Sequence, residues 1–233
     1  MTAFLEDIRP FYGTGEKNQQ GQSLEEFLEN YDPRKYETPS CTTDAVIFSF
    51  ETEADLNSEA PKLKILMVKR SNHPSIGFWA LPGGFANMRE DLDVTAKREL
   101  EEETGVTGLQ MEQLATYGNM NRDPRTRVIT TAYMALVCEK DVKVQAGDDA
   151  ADAAWCQITV TLEKKMENTW KEEWFRLRIL QPEKQLDTEA VVKHSYSEGL
   201  IREDKYEVMD GGMIAVDHAA IIVQAYETIR KRM

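Results

Sequence analysis

The chain has 233 residues, the size of one domain with room for an appendage, and 41% hydrophobic content suffices for a core. Its 41 acidic residues outweigh 28 basic ones, for a formal net charge of −13. That balance excludes a general nucleic-acid binder with a basic stripe and requires any polyanionic substrate to be met by local positive charge or metal. Nothing approaches the ~18 apolar residues of a membrane span, and with Glu6 and Asp7 in the N-terminus no signal peptide is expected. Cys41, Cys138 and Cys156 are far apart with no CxxC, and read as buried free thiols of a cytoplasmic protein.

Residues 1–40 are polar and broken by Gly13, Gly15, Pro33 and Pro39. A short helix is expected at 23–30, with Ser23 as N-cap and Glu26 completing a capping box. Residues 44–50 read as a buried strand, 51–62 as an acidic loop and 63–70 as a second strand, together a hairpin. A Pro- and Gly-rich loop follows to Gly84. Residues 91–104 are good helix formers, and Gly105 suits a C-terminal stop. Further strands are expected within 108–118, at 128–137 and at 153–158, the last after an acidic loop at 147–152. Residues 174–180 and 190–194 suit an extra hairpin. A helix over 213–230 has apolar recurrence at Ala219, Ile222, Val223 and Tyr226. The irregular alternation, with no GxGxxG and no repeat, predicts an α/β fold with helices packed on a mixed sheet.

On the 91–104 helix, Glu99, Glu102 and Glu103 stand at i, i+3 and i+4 and share one face. Their mutual repulsion weakens a bare helix by roughly a few tenths of a kcal/mol per pair; a bridging cation reverses the sign. Magnesium takes oxygen ligands and shares them with substrate phosphates. Glu90 lies just before the helix, Arg98 is placed to pair with Glu90 or Glu102, and Gly84 lets the backbone approach a ligand and offer its carbonyl. A glutamate run alone is ordinarily a solvated helix face. Here Gly84, Glu90, Arg98, Glu99, Leu100, Glu102, Glu103, Gly105 and Val106 all meet one pattern, G-x5-E-x7-R-E-U-x-E-E-x-G-U with U apolar. Average residue usage gives that match a chance on the order of 10⁻¹⁰ per start site, so the solvated-face reading is set aside.

This spacing resembles the Nudix box. The resemblance implies a Nudix α/β/α sandwich with a mixed β-sheet and a loop-helix-loop box. It also implies Mg²⁺- or Mn²⁺-dependent hydrolysis of the pyrophosphate in a small-molecule nucleoside diphosphate derivative. The metal set it implies is Glu99, Glu102 and Glu103, with Gly84 and Glu90 beside them and Arg98 supporting catalysis. The expected organisation is an N-terminal extension over 1–40, packed on a Nudix domain of 41–233 with an extra hairpin at about 170–195. Similar proteins are homodimers, which is the expectation here too; no nucleic-acid or membrane partner is expected.

The flanks are similar to those of ADP-ribose pyrophosphatase-like Nudix proteins: residues 70–85, 121–129, 147–155 and 215–219. They favour cleavage of ADP-ribose to AMP and ribose 5-phosphate. Arg70, Arg122, Arg125 and Arg127 are the candidates for phosphate or ribose oxygens, and Phe78, Trp79 or Phe85 for stacking a base. An acid from the 148–152 loop, Asp148, Asp149 or Asp152, is the candidate general base, with Asp149 placed first. His218 reads as structural, near a helix start. The alternatives are another Nudix substrate (a nucleotide sugar, NADH or a damaged nucleoside triphosphate) or a non-catalytic ADP-ribose sensor. Related regulators add a C-terminal winged helix, which is not expected here because the chain stops at Met233 directly after the 217–230 helix.

Overall fold

The structure, a computed structural model, describes residues 4–56, 61–145, 150–167 and 170–233. They fall into two compact units, residues 1–38 and 39–233. The first holds a 3₁₀ turn at Arg9–Phe11 and helix α1 (Leu24–Asn30). The expected capping box is there: Ser23 Oγ accepts the Glu26 N–H at 3.3 Å, and Glu26 accepts the Ser23 N–H at 2.8 Å.

The second unit is built on a 10-stranded sheet whose main path runs β10-β9-β8-β7-β2-β1-β6-β5. Its first strands are β1 (Ser40–Phe50), β2 (Lys64–Arg70), β3 (Trp79–Ala80), β4 (Gly83–Phe85), β5 (Glu112–Tyr117) and β6 (Val128–Cys138). The rest are β7 (Ala150–Glu167), β8 (Lys171–Gln181), β9 (Leu186–Tyr196) and β10 (Asp204–Asp210). β1 runs parallel to β6 and antiparallel to β2 and β4, so the sheet is mixed. A short helix, α2 (Glu53–Leu56), follows β1.

The two large helices cover opposite faces, as the two-residue period of β1 shows. Ala45 and Ile47 pack with Leu100 of α3 (Leu92–Thr104), whereas Val46 and Phe48 pack with Ile221, Ile222 and Val223 of α4 (His218–Arg230). Both sets are buried, which explains the unbroken apolar run: a strand covered on two faces does not alternate. Burial stabilises each such aliphatic side chain by about 1.5–3 kcal/mol. That outweighs the modest helix propensity of the β-branched Ile and Val in α4.

Several expectations are corrected. β7 runs over eighteen residues rather than 153–158, because Thr159–Glu167 pair along β8. β10, unanticipated, extends the 171–196 hairpin. α4 begins at His218, not 213, since Ile214 bridges to Trp79 and the Ala215 N–H donates to Trp79 O at 2.8 Å. Cys156 is buried but Cys41 is exposed and Cys138 half-buried; all three are free. No helix among the described residues is long and apolar enough to cross a membrane.

Candidate active site

α3 is placed by its apolar stripe and closed by its last turn. Ala96 and Leu100 are buried against the sheet, and Gly105 ends the helix with φ 69°, its N–H donating to Glu101 O at 2.8 Å. A side chain at that φ would be strained. This docking turns Glu99, Glu102 and Glu103 into a cleft of about 480 Å³ also lined by Asp44, Arg70, Gly84 and His218. β4 lies beside the acids of α3, held by antiparallel pairing of Asp44 with Gly83 and Thr43 with Gly84. A Cβ on Gly84 would stand 2.4 Å from Glu99 Oε2, so glycine is what allows the carboxylate to lie against the strand.

Arg98 is the hub. Its Nε lies 3.0 Å from Glu90 Oε1, and its Nη1 lies 2.7 Å from Glu99 Oε1 and 2.8 Å from Glu102 Oε2. Its Nη2 donates to Phe85 O at 3.1 Å. Glu90 also accepts from Asn87 and from the Thr95 hydroxyl. Arg98 and those donors hold the Glu90 carboxyl down at about 2, and the Arg98 guanidinium is raised, chiefly by Glu90. Glu90, with both oxygens engaged, positions Arg98.

The other acids behave oppositely. Burial pushes Glu103 up to about 7 against the pull of the Gly83 N–H, which donates to its Oε2 at 3.0 Å. Burial also raises Glu99, opposed by Arg98. In both, loss of water around the carboxylate disfavours its charged form.

Among the described residues, no three His, Cys, Asp or Glu side chains are already drawn together as a metal cluster; Arg98 holds Glu99 and Glu102 instead. The donor chemistry nonetheless fits a hard divalent cation. It consists of carboxylate oxygens of Glu99, Glu102 and Glu103 on one face of α3, with the Gly84 backbone, free of a Cβ, against Glu99.

The predicted substrate contacts divide. Arg70 lines the cleft and donates its Nε to Pro74 O at 2.7 Å. Phe85 and Arg125 line it together, Arg125 5.2 Å over the ring while paired with Asp123. Arg122 reaches the cleft, but its guanidinium is buried and forked onto Asp217, with Nε–Oδ2 and Nη2–Oδ1 both 2.9 Å. Arg127 donates to Gly118 O and is not among the lining residues. Trp79 lies in the core. Asp152 is committed to Lys184 at 2.7 Å; Asp148 and Asp149 lie outside the described residues.

Asp44, Asp217 and His218 were not singled out from the sequence as site residues, yet all three converge here. For Asp44 the signal existed: a carboxylate opening an apolar run needs a partner if buried.

The fold and cleft define a protein with an acid-lined site on an α/β/α sandwich. A family profile for the NUDIX domain matches residues 29–177, and the chain belongs to the Nudix family. It is 39% identical over 117 residues to the ADPR responsive transcriptional repressor NtrR of Acinetobacter baylyi, covering 49% of this chain and 44% of that protein. To the ADP-ribose pyrophosphatase of Methanocaldococcus jannaschii it is 41% identical over 95 residues, 41% of this chain and 55% of that protein. The chain thus spans about half the length of the curated relatives it matches. A MutT/nudix family protein from Enterococcus faecalis superposes with TM-score 0.64 at 28% identity, covering 91% of this chain and 71% of that one. The NUDIX domain of Shewanella oneidensis NrtR, crystallised with ADP ribose, superposes with TM-score 0.59 at 28% identity, covering 89% and 99%.

Proposed function

We propose that this protein is a Mg²⁺- or Mn²⁺-dependent Nudix hydrolase that cleaves the pyrophosphate of ADP-ribose, giving AMP and ribose 5-phosphate. The observation that carries the reading is the complete acid face of α3 turned into the cleft beside Arg70. The relative that acts on ADP-ribose and the neighbour that binds it support the substrate.

In this reading Glu99, Glu102 and Glu103 hold the cation, with Arg98 and Glu90 orienting them. The bound cation supplies charge neutralisation for the diphosphate and a more acidic water. Hydrolysis adds water across one P–O bond of the anhydride: an oxygen joins one phosphorus, the bridging oxygen leaves with the other phosphate, and a proton is released. Asp148 or Asp149 remains the proposed acceptor of that proton, since Asp152 is already ion-paired. Arg70 is proposed to meet the phosphates, and Phe85 with Arg125 to stack the base.

The similarity to a repressor's ADP-ribose domain favours one second reading, a sensor that binds the nucleotide without cleaving it. A panel of ADP-ribose, nucleotide sugars, NADH and nucleoside triphosphates, assayed with Mg²⁺ and with EDTA, separates the readings. The hydrolase gives metal-dependent AMP from ADP-ribose; a sensor binds ADP-ribose and turns over nothing.

A further inference from the structure

At the α4 end of the cleft lies a polar pair that the hydrolytic chemistry leaves unused. The His218 side chain is 9% exposed and lines the cleft. Its Nδ1 accepts the Leu81 N–H at 2.8 Å. A ring nitrogen that accepts carries no proton, so the neutral imidazole has its hydrogen on Nε2. That Nε2 faces Asp44 Oδ1 at 3.6 Å, too far for a hydrogen bond.

Asp44 is equally constrained. Its Oδ2 accepts the Thr130 hydroxyl at 2.7 Å and lies 3.6 Å from Arg122 Nη2. Among the described residues, nothing donates to its Oδ1. The wall therefore offers one N–H donor and one carboxylate acceptor, about nine-tenths buried, side by side and without partners.

The backbone is strained two residues before His218. Val216, β-branched, sits at φ 49°, a left-handed conformation that such a side chain avoids. Its neighbours fix it there: Trp79 N–H donates to Met213 O at 2.9 Å, Met213 N–H to Thr188 Oγ1 at 2.8 Å, and Arg122 clamps Asp217. Strain upheld on both sides of a cleft residue marks a site.

The ligand follows from charge. Asp44 and Asp217 face one Arg122 and a neutral histidine, so a phosphate is disfavoured. A metal ion is disfavoured too, because the protonated Nε2 has no lone pair. A hydroxyl satisfies both groups, accepting from Nε2–H and donating to Oδ1. Asp44 pairs in register with Gly83, whose N–H holds Glu103, so such a hydroxyl belongs to a sugar joined to the diphosphate. Resting on the nucleotide reading above, we propose that His218 and Asp44 bind a ribose hydroxyl of the substrate and set its specificity.

The test is calorimetric binding in Mg²⁺, using a methylene-bridged ADP-ribose that cannot be hydrolysed and forms of it with each ribose hydroxyl replaced by hydrogen. A hydrogen bond to a carboxylate is worth roughly 10- to 100-fold, so wild type binds one analogue that much more weakly. His218→Asn keeps an acceptor for the Leu81 N–H and removes Nε2; in it the penalty falls to about threefold or less. Asp44→Asn, which retains the Thr130 contact, gives the same collapse if His218→Asn fails to fold, as judged by its melting curve. Binding of the methylene-bridged compound with no deoxy penalty, or with a penalty unchanged in both variants, overturns the hydroxyl assignment and leaves the nucleotide reading intact. No binding of that compound overturns both.

Discussion

Arg98 and Glu102 stand one helical turn apart, with the guanidinium 2.8 Å from the carboxylate. The same guanidinium nitrogen contacts Glu99 at 2.7 Å. Arginine thus supplies the positive charge to acids proposed to hold a divalent cation, and cation and guanidinium compete for the same oxygens.

Removing the guanidinium exposes that competition. Arg98→Ala leaves Glu90, Glu99 and Glu102 facing one another without a counter-charge. Metal-free protein should lose about 2 kcal/mol, fewer than a fully buried broken pair because the side chains are partly exposed. Urea unfolding in EDTA and in Mg²⁺ checks this: the deficit shrinks when the cation is present. An equal deficit in both solutions contradicts the arrangement.

Glu103 gives metal-free stability a definite pH dependence. Burial raises its folded value to about 7 from an ordinary 4.5. Between those values the folded state holds the proton that the unfolded chain has released, so stability falls as pH rises through this window. Glu103→Gln keeps an acceptor for the Gly83 N–H and carries no charge. In EDTA it should match wild type near pH 4 and exceed it above pH 7 by on the order of 3 kcal/mol. A difference independent of pH refutes the buried-acid account.

Gly84 separates function from folding. The atoms nearest a Cβ of Gly84→Ala are those of the Glu99 carboxylate, Oε2 at 2.4 Å. A flexible carboxylate swings aside at small cost, so the melting temperature changes little. Mg²⁺ affinity and rate should fall about tenfold or more, as for a displaced ligand. A large loss of stability with unchanged activity contradicts the placement of Glu99.

Much of this architecture is legible in local sequence. The Ser23–Glu26 box, the helix ending at Gly105 and the acid face of α3 each depend on residues within one or two turns, and the structure shows all three. Partner-dependent features were not legible. The lysine-rich end of β7 does not look like a strand and becomes one only through β8. Arg122 and Asp217 are 95 positions apart, so no local pattern shows that the arginine read as a phosphate contact is already clamped. His218 looks like an ordinary helix start until Leu81 is seen to fix its tautomer.

The most direct test of the central claim is AMP release from ADP-ribose, wild type against Glu102→Gln. The Glu102 side chain is 57% exposed, so its replacement leaves the melting temperature nearly unchanged. The account predicts Mg²⁺-dependent AMP and ribose 5-phosphate from wild type, abolished by EDTA, and a rate lower by roughly two or more orders of magnitude in the variant. Equal turnover by both proteins, or turnover by neither in Mg²⁺, would contradict it.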